Sequence, residues 1–217
     1  MKRIPISRWI KDPFCGLSHF AGSLLSIAGL VVLLVMTRGT PWHYVSFAIY
    51  GTSLIILYTA SGLVHSLHCS AKTEDRLERF DFIAIFVLIA GTYTPLCLTV
   101  LRGPWGWSLF GVEWGLAIFG TIAVLVTKNR PKRLTTPLYL IMGWMAIIAI
   151  SPLVHELPTA ALVWLVLGGM AYSIGAVIFT LDRPHLFPGW FHAHDLWHTL
   201  VLTGSACHFV MMLWFIA

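Results

Sequence analysis

Seven apolar runs, each long enough to cross a lipid bilayer, constrain this chain more than any other feature. They cover residues 16–36, 44–65, 82–101, 107–127, 135–154, 160–181 and 194–216. A helix needs roughly 20 apolar residues to cross a hydrocarbon core about 30 Å thick. Helices also satisfy their own backbone hydrogen bonds in lipid. Seven such spans take up about 140 residues, most of the 217. Only 11% of the residues are charged, 58% are apolar and mean hydropathy is +0.81, too little polar surface to face water all round. The expected fold is therefore all-α, a single membrane domain over residues 1–217 built as an integral bundle of seven transmembrane helices. Trp42, Trp105, Trp107, Trp190 and Trp197 fall near run ends, where aromatic residues anchor at the interface.

The basic residues set the orientation. Lys2, Arg3, Arg8 and Lys11 precede the first run. Lys72, Arg76 and Arg79 lie between the second and third, Lys128, Arg130, Lys132 and Arg133 between the fourth and fifth, and Arg183 before the seventh. Only Arg38 and Arg102 fall on the other side. Lys and Arg concentrate in short cytoplasmic loops. The N-terminus is therefore expected in the cytoplasm and the C-terminus outside. This placement also accounts for the net charge of +5 without a nucleic-acid partner. The basic N-terminal segment lacks the short apolar stretch and small-residue cleavage site of a signal peptide. Cys15, Cys69, Cys97 and Cys207 are scattered without CxxC spacing, so neither a disulfide framework nor a thiolate metal site is expected.

Ionisable residues inside spans are costly and mark function by default. The assigned topology brings His65, Asp81, His194 and His198 to one membrane level, at the cytoplasmic ends of the second, third and seventh runs. His194 and His198 are four residues apart, so both imidazoles share one helix face. That spacing suits two histidines on one zinc ion. His65 supplies a third ligand, and catalytic zinc commonly has three protein ligands and one position open to water. Zinc lowers the pKa of such a water to about 7. Asp81 is the candidate proton acceptor. Ser61, one turn before His65, is a candidate hydrogen-bond donor to the site.

Other polar residues fit other roles. His19, one turn into the first span, is a supporting or packing candidate. His208 lies ten residues beyond His198, about 15 Å deeper by helix rise, too far to share the metal. His68, His185 and His192 are expected in solvent. His43, His155 and Glu156 belong to the outer face. Glu113 reads as a packing or interfacial residue and Asp195 as a helix N-terminus residue. Pro95 points to a kink. Gly168, Gly169 and Gly175 point to close helix approach.

Taken in order, several segments resemble the hemolysin III family, the bacterial branch of the superfamily of progestin and adipoQ receptors. They are Ser61-Gly62-Leu63-Val64-His65, then Asp81 with Ile89-Ala90-Gly91-Thr92-Tyr93-Thr94-Pro95, then Tyr139-Leu140-Ile141-Met142-Gly143-Trp144. Gly168-Gly169-Met170-Ala171-Tyr172-Ser173-Ile174-Gly175 follows, then His194-Asp195-Leu196-Trp197-His198 and Gly204-Ser205-Ala206-Cys207-His208-Phe209. The resemblance implies a seven-helix fold in the inner membrane of a bacterium with the N-terminus inside. It implies zinc on His65, His194 and His198, with Asp81 touching the metal's water. Phe82 stands where many bacterial members carry histidine, which leaves the core set intact. Similar superfamily members look like ceramidase-type enzymes. The leading expectation is thus a zinc-dependent hydrolase of a lipid amide or ester, with membrane lipid as its partner. The alternatives are a membrane-state sensor or regulator with structural zinc, and a cytolysin.

Overall fold

The apolar runs fold as helices throughout, and the differences from the simple seven-run picture have local causes. The computed structural model describes residues 9–127, 132–184, 186–187 and 191–217. Lys2, Arg3, Arg8, Lys128, Arg130, His185 and Trp190 lie outside them, and of Lys132 and Arg133 only the backbone is described. The helices are α1 (Pro13–Met36), α2 (Pro41–Ser66), α3 (Ala71–Pro95), α4 (Pro104–Val126), α5 (Lys132–Gly143), α6 (Ile150–Glu156), α7 (Thr159–Leu181) and α8 (Ala193–Phe215). Six are long and apolar enough to span a membrane, and the bent pair of α5 and α6 makes up to seven. The chain is a multi-pass, all-α membrane protein.

Proline opens α1, α2 and α4, where its missing N–H costs nothing and its fixed φ suits the first turn. The helix α3 starts at Ala71, well before the apolar run. Ser70 caps it by accepting from Thr73 N at 3.3 Å. Its charged first turns therefore project beyond the apolar zone. Among them, Arg79 donates to the Val124 and Thr127 carbonyls at 2.6 and 2.8 Å, closing the C-terminus of α4. The kink expected at Pro95 takes the form of a π-helical segment, Leu96–Val100, continuing α3.

The fifth run is broken. After Gly143 the chain passes through a short 3₁₀ turn, Met145–Ile147, and bends by 53° into α6. Backbone freed in lipid must be satisfied by neighbours. Tyr93 of α3 does this, donating its hydroxyl to the Gly143 carbonyl at 2.8 Å and accepting from Ala146 N at 2.9 Å. Trp144 Nε1 donates to Ser173 Oγ on α7 at 2.9 Å. Hydropathy alone does not register this bend.

The core centres on α2 and α3, with Phe47, Tyr50, Leu54, Leu57 and Tyr58 of α2 buried against Leu88 and Tyr93 of α3 and Leu96 of the π-helical segment. The outer helices expose apolar side chains such as Leu24, Leu25 and Val35 on α1 and Ile118, Phe119 and Leu125 on α4. Such an apolar surface suits lipid. Between α7 and α8, Gly168 lies directly under the His208 ring, and a Cβ at Gly175 would stand 2.8 Å from Trp197. Gly169 does not share that role, because a Cβ there would meet nothing nearer than Trp144 at 4.0 Å. Glu113 is fully buried near Tyr93 and Cys97 rather than interfacial. Trp197 is no interface anchor either: it stacks on Phe179 with ring centroids 5.3 Å apart and lines an internal cavity.

Candidate metal centre

The end of α2, the start of α8 and the start of α1 meet at one end of the bundle. The segment before α1 is tied to α2 by its backbone: Asp12 N donates to the His65 carbonyl at 2.7 Å and Lys11 N to the Ser66 carbonyl at 3.3 Å. An ion pair between Lys11 and Glu74 fastens the same segment to α3. Asp195, in the first turn of α8, accepts from His192 N at 2.8 Å and so caps that helix, as expected of it.

Three imidazoles converge there. His194 Nε2 lies 3.4 Å from His65 Nε2 and 3.1 Å from His198 Nε2. The other nitrogens of two rings are already engaged. His65 Nδ1 sits 3.0 Å from Asp12 Oδ2, and His198 Nδ1 sits 2.8 Å from His19 Nε2. The hydrogen bond from His65 holds the Asp12 carboxyl below its ordinary pKa, so Asp12 is ionised and His65 Nδ1 is its donor. For His198 Nε2 to ligate an ion, Nδ1 must carry the proton and donate to His19 Nε2. The Nε2 atoms of His65 and His198 then both present lone pairs toward His194. One N–H on His194 can satisfy only one of them, whereas a cation satisfies all three. In a tetrahedral site with metal–nitrogen bonds of 2.0–2.1 Å, nitrogen ligands stand about 3.4 Å apart. The two separations fit that edge. Asp12 and His19 stand where outer partners would fix ring orientation if the trio held a metal.

A fourth donor joins the three. The thiol of Cys15, 1% exposed, belongs with His65, His194 and His198 to a cluster whose ligand atoms all lie within 4.8 Å of one another. The scattered cysteines gave no expectation of a thiolate metal site, and the proximity of Cys15 to the trio is a tertiary feature. Asp12 and Cys15 are the residues that reasoning from the runs passed over. The signal was present: Asp12, Cys15 and His19 are spaced i, i+3, i+7, which sets them on one face of α1 and its cap.

Asp81 and Ser61 are not in that cluster. They line a cavity of about 240 Å³ that His65, His194 and His198 also line. The Asp81 carboxyl interacts with His65 and Ser61, and its Oδ1 is buried with no hydrogen-bond partner among the described residues. The cavity runs on between α2, α3, α5, α7 and α8 past Leu57, Ile85 and Leu88 to Trp144, Tyr172 and His208. Ten residues along α8 separate His198 from His208, so it extends about 15 Å. At its far end His208 Nε2 meets the Leu165 carbonyl at 3.2 Å, which keeps it out of the cluster, as its depth implied. His68 and His192 are exposed.

Comparison with known proteins agrees with these features. The family described as Haemolysin-III related matches residues 7–209. The chain is 42% identical to a "Hemolysin-3 homolog" of Bacillus subtilis, over 92% of this chain and 91% of that one. It is 37% identical to "Hemolysin-3" of Bacillus cereus, over 99% and 96%. A more distant relative, the human "Monocyte to macrophage differentiation factor", is 27% identical over 77% of this chain and 69% of its own length. With a seven-run helical bundle, a convergent histidine trio and a family match over nearly its whole length, this chain belongs to the haemolysin III family.

Proposed function

We propose that this protein is a zinc-dependent hydrolase that cleaves an amide or ester bond of a membrane lipid, at the cytoplasmic face of a bacterial inner membrane. The supporting observation is that one apolar-walled cavity carries metal-ligating imidazoles, a carboxylate and a hydroxyl together at one end. His65, His194 and His198 are the residues that would hold the ion. Bound there, zinc would activate water at neutral pH and polarise a carbonyl oxygen. Asp81 accepts the proton that the attacking water loses and returns it to the leaving group. Ser61 donates a hydrogen bond to the oxygen on which charge develops. Leu57, Ile85 and Leu88 offer the acyl chain an apolar wall. Asp12 and His19 keep two imidazoles in register. The Lys and Arg asymmetry supports the cytoplasmic placement.

The test incubates purified protein with a total lipid extract of its host and reads products by mass spectrometry. A lipid cleavage product that disappears on chelation and returns with zinc is expected. The absence of any zinc-dependent product would contradict the proposal. A second reading, a sensor with structural zinc, is favoured by Cys15, because structural sites are usually closed by four protein ligands. In that case a lipid ligand would shift helix packing without being cleaved.

A further inference from the structure

Cys15 reaches the histidine trio from the first turn of α1. His65, His194 and His198 all line the cavity, whereas Cys15 does not. Its thiol is nonetheless buried within 4.8 Å of all three ring nitrogens. The backbone bonds from Lys11 and Asp12 to the end of α2 fix the first turn of α1 at this point. Gly16 makes the approach possible, since its backbone lies hard against Ser66 and the His65 carbonyl, where a side chain would collide. The thiol also has an oriented hydrogen bond, Cys15 Sγ donating to Asp195 Oδ1 at 3.1 Å. Asp195 in turn is held by its capping of α8. A buried cysteine in a helix bundle ordinarily packs as a small apolar group. This one is instead presented to three imidazoles by segments locked on both sides.

We propose that Cys15 is a fourth ligand to the metal, a thiolate that binds the ion together with the histidine trio. This inference rests on the reading of the trio as a metal site. Three imidazoles and one thiolate make a closed tetrahedral set of the kind zinc accepts. Coordination breaks the S–H bond, the proton leaves to solvent, and the sulfur lone pair forms the bond to the ion. The same three histidines line the cavity, together with Asp81 and Ser61. With an ion bound, Cys15 would close the site, and exchange of its thiolate for a group in the cavity would open it. Both readings of the site, the closed four-ligand form and the open three-ligand form, then belong to one protein.

Cobalt(II) reports the difference directly, because thiolate-to-cobalt charge transfer gives a near-ultraviolet band that imidazole ligands do not. The probe protein is the full chain with Cys69, Cys97 and Cys207 replaced by serine, so that any sulfur signal arises at Cys15. This protein should bind about one cobalt per chain with the band, and the zinc form should show a sulfur neighbour at about 2.3 Å in X-ray absorption. Adding Cys15→Ser or Cys15→Ala should abolish the band and the sulfur neighbour while cobalt still binds. Cobalt bound without a thiolate band in the Cys15-containing protein would overturn the fourth ligand and leave the trio standing. If cobalt does not bind, or if His198→Ala binds it equally well, the trio reading fails and the fourth ligand with it. Should the Cys15 variants not fold, the X-ray absorption of the Cys15-containing protein decides alone.

Discussion

His198 and His208 sit on the same helix, both buried, both lining the same cavity, and yet they belong to different chemistry. The His198 ring points one nitrogen at His19 and the other at two further imidazoles. The His208 ring rests over Gly168 and gives Nε2 to the Leu165 carbonyl. Polar groups around His208 serve the bundle itself. Tyr58 donates to Ser205 Oγ at 2.6 Å, Tyr172 shares that hydroxyl at 2.7 Å, and Tyr93 satisfies the broken fifth span. Burial of a histidine in a membrane helix therefore says little about metal. What separates the two is whether a second nitrogen is left facing other imidazoles after the first has been engaged.

That contrast can be broken by substitution. His198→Ala, like His65→Ala and His194→Ala, should abolish binding of one metal per chain, while His208→Ala retains it. Metal analysis of the purified proteins checks this, and loss of metal in His208→Ala with retention in His65→Ala would reverse the assignment. A smaller effect is expected from the residues that only orient the rings. Asp12→Asn and His19→Ala should weaken metal affinity by about 10- to 100-fold, as loss of such outer partners typically does, read by competition with a chromogenic chelator. Tyr93→Phe probes the other region. It strands the Gly143 carbonyl and the Ala146 amide, so it should cost about 1–3 kcal/mol of stability in thermal unfolding and leave metal affinity unchanged. Smallest of all, Ser61→Ala removes one hydrogen bond and should slow lipid turnover by about tenfold or less, on the scale of about 1 kcal/mol for such a bond.

The reach of sequence reasoning followed the same division. Hydropathy located the spans because lipid imposes length and apolarity on each run, and positions near run ends set His65, Asp81, His194 and His198 at one level. It missed the start of α3 at Ala71 because the charged turns from Lys72 to Arg79 are helical without being apolar. It missed the bend after Gly143 because the groups that stabilise it come from Tyr93, fifty residues away in the chain. Asp12 and Cys15 escaped because residues before a span read as loop, although their spacing with His19 is helical. Glu113 read as packing or interfacial because hydropathy does not record which face of α4 turns inward. Pairing across helices is a tertiary property, and a single sequence carries it only where a shared level in the membrane narrows the choices.

If a metal site and a proton acceptor work together on lipid, Asp81→Asn separates the two. A structural metal site has no use for a carboxylate outside its ligand set, whereas hydrolysis requires somewhere for the water's proton to go. General base catalysis typically contributes about 10²- to 10⁴-fold in rate. The measurement is zinc content together with the rate of lipid product formation, on wild type and Asp81→Asn, with a host lipid extract as substrate. The account predicts unchanged zinc and turnover reduced by at least about a hundredfold. A product formed equally fast by Asp81→Asn would contradict it.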